Sequence, residues 1–385
     1  MLDRFIHFIL HQRLLVIIST VVLIVWGGFA WKTLPIDAFP DVTNVQVMVL
    51  TDAPGLTPVD VEQQITFPLE LSMQGLPNVR QVRSLSKAAL SQVIVVFEDH
   101  VDTYFARQLV FERIQAVREE LPGWAEPEMG PISTGLGEIY QYTLESDIRS
   151  PMELRTIQDW IIAPQLRALS GVNEVNSFGG QVKQYHVLVE PAKLLKYGIA
   201  LGDVIEAIEK NNANAGGNFL VQGWEQAYVR SVGLIQNITD IESIVLEAED
   251  GTPIYLKDIA SVQLGPMTRL GAVTRDGNGE KVAGMVIMLK DENSKLVVDR
   301  VKKTIPKIEA GLPKDVRIKT FYDRTSLIQA CIHTVGSALF QGGVFVIIVL
   351  FLFLGNIRAS FIVALSLPLT AFVAFILMGW QGITA

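Results

Sequence analysis

Residues 14–31 read LLVIISTVVLIVWGGFAW, and residues 32–47 continue as KTLPIDAFPDVTNVQV. The first segment has no charged residue over its 18 positions. A helix of that length spans roughly 27 Å of a hydrocarbon core that is about 30 Å thick. The second segment ends in alternating polar and apolar residues, a pattern typical of a β-strand. The sequence therefore predicts a first transmembrane helix that delivers a folded domain to the far side of a membrane.

Two more apolar segments lie near the end of the sequence. Residues 337–354 and 361–380 contain no charged residue, and each is long enough to form a transmembrane helix. Only GNIRAS separates them, so we expect a tight antiparallel pair, with a kink at Pro368. A cleaved signal peptide is the alternative interpretation of residues 14–31, but no small-residue cleavage site precedes a polar start.

The basic residues near these segments predict their orientation. Arg4 and Arg13 precede the first span, and Arg358 lies in the turn between the second and the third. Because cytoplasmic loops carry an excess of basic residues, residues 1–13 are expected in the cytoplasm and residues 32 to about 330 outside it. The predicted location is a bacterial inner membrane, with a large periplasmic domain and a lipid bilayer around the spans.

The composition argues against several classes of function. The 385 residues are 49% hydrophobic and 19% charged, with a formal net charge of −8, which disfavours binding to nucleic acid. Cys331 is the only cysteine, so no disulfide can form within the chain. No Ser/His/Asp or Cys/His catalytic set is evident. The sequence therefore predicts neither an enzyme nor a bound cofactor.

The exported region predicts an α+β fold made of two similar βαββαβ units of the ferredoxin-like type. The first unit combines helices at 57–73 and 102–121 with strands at 44–52, 79–86 and 92–98. The second combines helices at 150–170 and 294–310 with strands at 139–145, 172–178, 282–289 and 316–321. An insertion at 183–275, itself α+β, interrupts the second unit.

The insertion contains a glycine- and asparagine-rich arm, NNANAGGNFLVQGWEQ, at residues 211–226. The apolar residues near its tip, Phe219, Leu220 and Trp224, are flanked by polar residues. Such an exposed apolar patch favours docking on another protein surface. A mobile surface hairpin is the alternative interpretation. The arm residues for which we predict a role in oligomerisation are Asn214, Gly216, Gly217, Phe219, Leu220 and Trp224.

Acidic and histidine side chains at residues 98–102 form the most conspicuous possible metal site. Glu98, Asp99 and His100 are hard-metal ligands, but the same positions form a strand-to-helix turn in which Asp102 is the helix N-cap. Residues 276–280, DGNGE, resemble the start of a calcium loop, and a hairpin turn is the favoured alternative. Further candidates for an ion path are Met129, Glu138 and Met267. We expect two other acids, Asp37 and Asp41, to serve as turn or capping residues.

Six sequence blocks carry a resemblance to a known family. They are LPIDAFPDVTNVQV (34–47), APGLTPVDVEQQITFPLE (53–70), VFEDHVDTYFARQLV (96–110), GPISTGLGEIYQYTLE (130–145), FYDRTSLI (321–328) and LFLFLGNIRASF (350–361). Together with the order of spans and exported units, they resemble the N-terminal portion of resistance-nodulation-division (RND) efflux pumps. The heavy-metal efflux branch is the most similar. Within it, the sequence looks closer to the CzcA type, which exports divalent cations, than to the CusA type, which exports copper and silver.

The resemblance implies a homotrimeric inner-membrane antiporter that exports divalent metal ions against an inward flow of H⁺. It also implies two protein partners, a periplasmic adaptor and an outer-membrane channel. In this scheme residues 32–130 would be a first porter subdomain, and residues 131–182 with 276–325 a second. Residues 183–275 would be a docking subdomain whose arm reaches the neighbouring protomer.

Some features depart from the family pattern. Family members are longer than this sequence and consist of two homologous halves. Their acidic proton-relay residues and their main metal-binding cleft lie in regions that residues 1–385 do not match. His100 stands where a glycine is expected, and Thr268 stands near Met267 where the copper branch has a methionine. We therefore expect part of a pump that does not transport alone. The alternatives are a copper/silver pump, a pump for organic compounds, or a truncated, non-transporting, membrane-anchored assembly module.

Overall fold

The computed structural model describes residues 12–33, 43–249, 251–269, 271–290, 292–354 and 357–381. The chain divides into two compact units. The first consists of residues 1–145, 161–177 and 283–385, and the second of residues 146–160 and 178–282. Three parts of the sequence analysis lie outside the described residues. They are most of the predicted cytoplasmic N-terminus, the acids Asp37 and Asp41, and two residues of the turn between the last two predicted spans.

The first unit contains a complete βαββαβ repeat near its start. Its elements are β1 (Gln46–Asp52), α2 (Pro58–Val61), α3 (Phe67–Met73), β2 (Val79–Lys87), β3 (Leu90–Phe97), α4 (Thr103–Val117) and β4 (Pro127–Met129). The antiparallel strands lie in the order β2-β3-β1-β4. Their apolar face packs on the helices around a core that includes Val47, Val49, Ile65, Leu69, Val93, Val95, Phe97, Val110 and Ile114. Strand β4 is an addition to the elements that the sequence predicts.

A π-helical turn, Glu62–Thr66, separates α2 from α3 within the predicted helix 57–73. Pro68 follows this turn. A proline has no backbone N–H to donate and its ring crowds the carbonyl group one turn earlier in a helix. The wider π-helical turn therefore leaves room for the Pro68 ring. The hydroxyl of Thr66 lies 2.9 Å from that of Ser86 and 2.8 Å from that of Ser91. A buried hydroxyl cluster therefore joins the turn to strands β2 and β3.

A second repeat has the same order of elements. These are β5 (Glu138–Glu145), α5 (Pro151–Ile157), α6 (Ala163–Arg167), β6 (Val172–Phe178), β14 (Glu280–Met288), α11 (Ser294–Gly311) and β15 (Arg317–Asp323). The strands lie in the order β15-β5-β14-β6. Another π-helical turn, Gln158–Ile162, again ends two residues before a proline, Pro164. Both repeats therefore use the same local solution to a proline within their first helix.

The second unit contains α5 and most of the residues between β6 and β14. The elements that follow β6 in this unit are β7 (Lys183–Val189), α7 (Pro191–Tyr197), α8 (Leu201–Lys210), β8 (Ala215–Gln222), β9 (Glu225–Ser231), α9 (Ile238–Glu242), β10 (Val245–Glu249), β11 (Thr252–Tyr255), α10 (Leu256–Ile259), β12 (Ala260–Pro266) and β13 (Val273–Thr274). Strands pair as β7–β12, β8–β9 and β10–β11. Strand β13 pairs with the start of β14 through residues 275–279, so the predicted hairpin turn there is confirmed.

Three apolar helices complete the first unit: α1 (Arg13–Thr33), α12 (Arg324–Leu354) and α13 (Ile357–Gln381). Of the described helices, one is long and apolar enough to cross a membrane, over Arg324–Phe353, and shorter apolar helices cover Leu14–Ala30 and Ala364–Met378. Helix α1 packs on α13, where a Cβ at Gly27 would collide with the Phe372 side chain. Helix α12 begins 13 residues before the predicted span at Ser337.

Candidate functional site

The turn at residues 98–102 is a strand-to-helix connection. The carboxylate of Asp102 accepts a hydrogen bond from the Phe105 backbone N–H at 2.9 Å and caps α4. The Nδ1 atom of His100 lies 3.3 Å from a carboxylate oxygen of Glu98, and both side chains are more than half exposed. Among the described residues, no group of three or more His, Cys, Asp or Glu side chains is arranged to hold a metal ion. The capping role of Asp102 is thus confirmed.

The other predicted ion-path residues occupy separate environments. Met129, at the end of β4, packs against the core of the first repeat. Glu138, at the start of β5, is exposed, and its carboxylate accepts a hydrogen bond from the Gln141 side chain at 3.1 Å. Met267 is 44% exposed and follows β12 in the second unit. These three side chains therefore lie in three separate segments of the chain.

An acid-lined cavity lies at one end of the first sheet, and the sequence alone did not indicate it. It has a volume of about 650 Å³ and is lined by Leu50, Asp52, Pro54, Leu90, Trp124, Glu126 and Glu128. Three carboxylates and no basic side chain form its wall, an arrangement that raises the local concentration of cations. The carboxylates come from β1 and from the segment that ends in β4, which the sequence did not identify as a strand.

The predicted arm forms an antiparallel hairpin of β8 and β9. Every residue of both strands is exposed. Phe219 lies opposite Tyr228, and Leu220 lies opposite Ala227, so apolar side chains occupy both faces. Trp224, in the turn, is fully exposed, with a relative exposure of 105%. The hairpin extends to Ser231, five residues beyond the predicted arm.

Backbone details at residues 212–219 explain the glycine- and asparagine-rich sequence of the arm. Asn214 accepts a hydrogen bond from the Gly233 N–H at 3.1 Å, and Asn212 accepts one from the Ile235 N–H at 3.1 Å. A register shift separates Gly216 from Phe219. A Cβ at Gly217 would lie 2.6 Å from the carbonyl oxygen of Val229. The asparagines therefore close the base of the hairpin, and Gly217 permits the close approach of its strands.

Burial perturbs the pKa of two side chains in the first unit. It lowers the pKa of Arg107, whose guanidinium donates a hydrogen bond to the Gly130 carbonyl at 2.6 Å. It raises the pKa of the Tyr140 phenol, which a hydrogen bond with the Thr320 hydroxyl partly offsets. Neither group lines the acid-lined cavity, so both effects belong to the packing of the two repeats.

Known proteins share both the sequence and the fold of this chain. The family model described as AcrB/AcrD/AcrF matches residues 5–385. Protein HelA of Legionella pneumophila is 48% identical over 377 residues, which are 96% of this chain and 36% of that protein. The cobalt-zinc-cadmium resistance protein CzcA of Cupriavidus metallidurans is 45% identical over 384 residues, with coverage of 97% and 36%.

A further relative and a solved structure complete the assignment. The cation efflux system protein CusA of Escherichia coli is 38% identical over 377 residues, with coverage of 97% and 36%. A crystal structure of a heavy metal efflux pump superposes with a TM-score of 0.90 at 39% identity, covering 97% of this chain and 38% of that one. The chain spans little more than a third of these relatives, and the predicted closer likeness to the CzcA type is confirmed. The chain belongs to the AcrB/AcrD/AcrF family of transporters.

Proposed function

We propose that these residues are part of a proton-driven RND transporter that exports divalent heavy-metal cations. The observation that carries the proposal is the 45% identity, over 97% of the chain, with a protein named for cobalt, zinc and cadmium resistance. Two further relatives are named for resistance to nickel and cobalt, which favours divalent cations as the exported class. In this proposal the present residues supply membrane helices and exported units to a longer protein.

The proposed membrane placement rests on the three apolar helices. Helix α12 has the length and composition of a membrane-spanning helix, and α1 and α13 contain shorter apolar segments. A short connection between α12 and α13 makes them antiparallel neighbours if both cross the bilayer. The two α+β repeats and the inserted elements then lie on the side opposite to residues 1–13. This placement puts the acid-lined cavity and the arm in the periplasm.

The proposed homotrimer rests on the exposed arm. An isolated two-stranded hairpin is marginally stable in water, and this one presents apolar side chains on both faces. Contact with a neighbouring protomer would cover Phe219, Leu220 and Trp224. A head-to-tail exchange of arms closes into a ring, as a cyclic trimer requires. The periplasmic adaptor and the outer-membrane channel are proposed as further partners on the strength of the family assignment.

Metal resistance tests the proposal. The complete reading frame that encodes these residues would be expressed in a bacterial host without its own metal exporters, together with adaptor and channel. Growth would be measured across Zn, Co, Cd, Ni, Cu and Ag, and across a set of toxic organic compounds. We expect the inhibitory concentrations of the divalent Zn, Co, Cd or Ni to rise, because a CzcA-like pump removes these ions.

A second part of the test uses the same reading frame with Trp224→Ala, which leaves the membrane helices intact and removes the exposed tip of the arm. This variant is expected to confer less resistance at equal expression. Protection against copper or silver alone would overturn the divalent assignment. Protection against organic compounds alone would assign the chain to a different branch, and no protection at all would support the assembly-module alternative.

A further inference from the structure

Strand β15 passes into helix α12 without an intervening residue. The strand ends at Asp323, and the helix of 31 residues begins at Arg324. Asp323 lies opposite Tyr140 of β5, a central strand of the sheet. Helix α12 therefore leaves the second repeat without a linker whose backbone could flex.

The carboxylate of Asp323 connects the first turn of α12 to helix α11. One oxygen accepts a hydrogen bond from the Thr325 backbone N–H at 2.9 Å, and the other forms an ion pair with Lys302 of α11. The Asp323 side chain is 18% exposed and the Lys302 side chain is 41% exposed, so solvent reaches the ion pair from the lysine side. The Asp323 main-chain carbonyl also accepts a hydrogen bond from the Ser326 hydroxyl at 2.7 Å. Asp323 thus caps the start of α12 and also attaches it to the neighbouring helix α11.

Arg324 attaches the same point to the loop that precedes β5. It is 4% exposed, and its guanidinium donates a hydrogen bond to the carbonyl of Leu136. That loop is itself held, because the Gly137 N–H donates to the Thr134 carbonyl and the Met288 N–H donates to the Gly137 carbonyl, each at 2.8 Å. A buried guanidinium is costly to leave without hydrogen bonds. The start of α12 is therefore fixed to β14 as well as to α11.

Side-chain burial completes the attachment. Thr325 is 3% exposed and Ile328 is 1% exposed, although both belong to the first turn and a half of α12. The helix therefore begins inside the packed repeat and becomes exposed only farther along. Close-packed cores transmit displacement because they have few alternative packings.

We infer that Asp323 and Arg324 form a rigid coupling joint between α12 and the sheet β15-β5-β14-β6. A tilt or rotation of α12 moves the sheet with it, since no linker absorbs the motion. Asp323 and Arg324 are positioning residues, and Lys302 is the partner that keeps α12 aligned with α11. The joint follows from the described contacts and does not depend on the proposed transport activity.

Distance measurements between spin labels test the joint. In the full chain with Cys331→Ser, one label would replace exposed Lys307 on α11, and the other would replace exposed Leu339 on α12. The joint predicts a single narrow distance distribution. Lys302→Met and Asp323→Ala are each expected to broaden the distribution. Lys302→Arg preserves the ion pair and is expected to restore the narrow distribution.

Two control variants separate the joint from general loss of structure. Lys303→Met changes an exposed lysine next to Lys302 and is expected to leave the distribution narrow. Insertion of two glycines between Asp323 and Arg324 supplies a flexible linker and is expected to give the broadest distribution. If Lys302→Met and the insertion both kept the narrow distribution, with circular dichroism unchanged, the rigid joint would be wrong. If Asp323→Ala does not fold, the Lys302 variants still decide the question.

Discussion

Replacing Gly179 with alanine is expected to lower the thermal unfolding midpoint of the chain by roughly 5 °C. Gly179 follows β6 with a φ of +69°, and a Cβ there would collide with the backbone carbonyl oxygen of Lys281. The left-handed conformation costs about 1–2 kcal/mol for an L-residue, and overpacking adds about 1–3 kcal/mol. The colliding atom is backbone, so a rotamer change cannot relieve it. Tryptophan fluorescence during heating of the purified protein in detergent measures the midpoint.

Substitutions at two other glycines distinguish the cost of the positive φ from the cost of the steric collision. Gly198 has a φ of +68°, but a Cβ added there would meet no atom within 4 Å, so Gly198→Ala is expected to show only the conformational cost. Gly135 lies in open space without a positive φ, so Gly135→Ala is expected to be nearly neutral. Equal midpoints for the Gly179 and Gly198 variants would contradict the predicted collision.

Replacing Trp224 with alanine is expected to convert the proposed trimer into smaller species. Trp224 is the most exposed large apolar side chain of the arm, and tryptophan is enriched among residues that dominate binding energy. Loss of such a residue costs at least about 2 kcal/mol, or roughly 30-fold in the dissociation constant. Sedimentation of the detergent-solubilised chain over a range of concentrations measures the shift.

Leu195→Ala is the matched control for the arm. Leu195 lies on α7 in the same unit and is 85% exposed, so it tests whether any exposed apolar side chain has the same effect. This variant is expected to keep the sedimentation behaviour of the unmodified chain. A Trp224→Ala chain that remained trimeric at every concentration would show that the arm does not hold the protomers together.

Local sequence signals predicted many elements well. The capping residues Thr57, Asp102 and Ser150 begin helices at the predicted positions, because their side-chain oxygens satisfy backbone N–H groups at the helix start. The apolar segment 14–31 corresponds closely to α1, which covers Arg13–Thr33. These features depend on neighbouring residues, so the sequence contains the information that sets them.

Features that depend on distant contacts were missed. Strand β4 has only three residues and begins with Pro127, a pattern that predicts a loop. It pairs because it is an edge strand, where a missing N–H is tolerated. The sequence also failed to predict the start of α12, because the first turn of this helix is polar. Contacts with distant residues stabilise that turn, namely the ion pair with Lys302 and the hydrogen bond to the Leu136 carbonyl. The acid-lined cavity likewise assembles from segments about 75 positions apart, Leu50 and Glu126 among them.

Zinc flux into proteoliposomes shows whether the complete protein is a proton-driven exporter of divalent cations. The protein encoded by the complete reading frame would be reconstituted with a zinc-sensitive dye, and a pH gradient would be imposed across the bilayer. We predict zinc flux that requires the gradient and stops when a proton uncoupler is added, whereas residues 1–385 alone give none. Absence of gradient-dependent flux of zinc, cobalt, cadmium or nickel from the active reconstituted protein would contradict the assignment as a divalent-cation exporter.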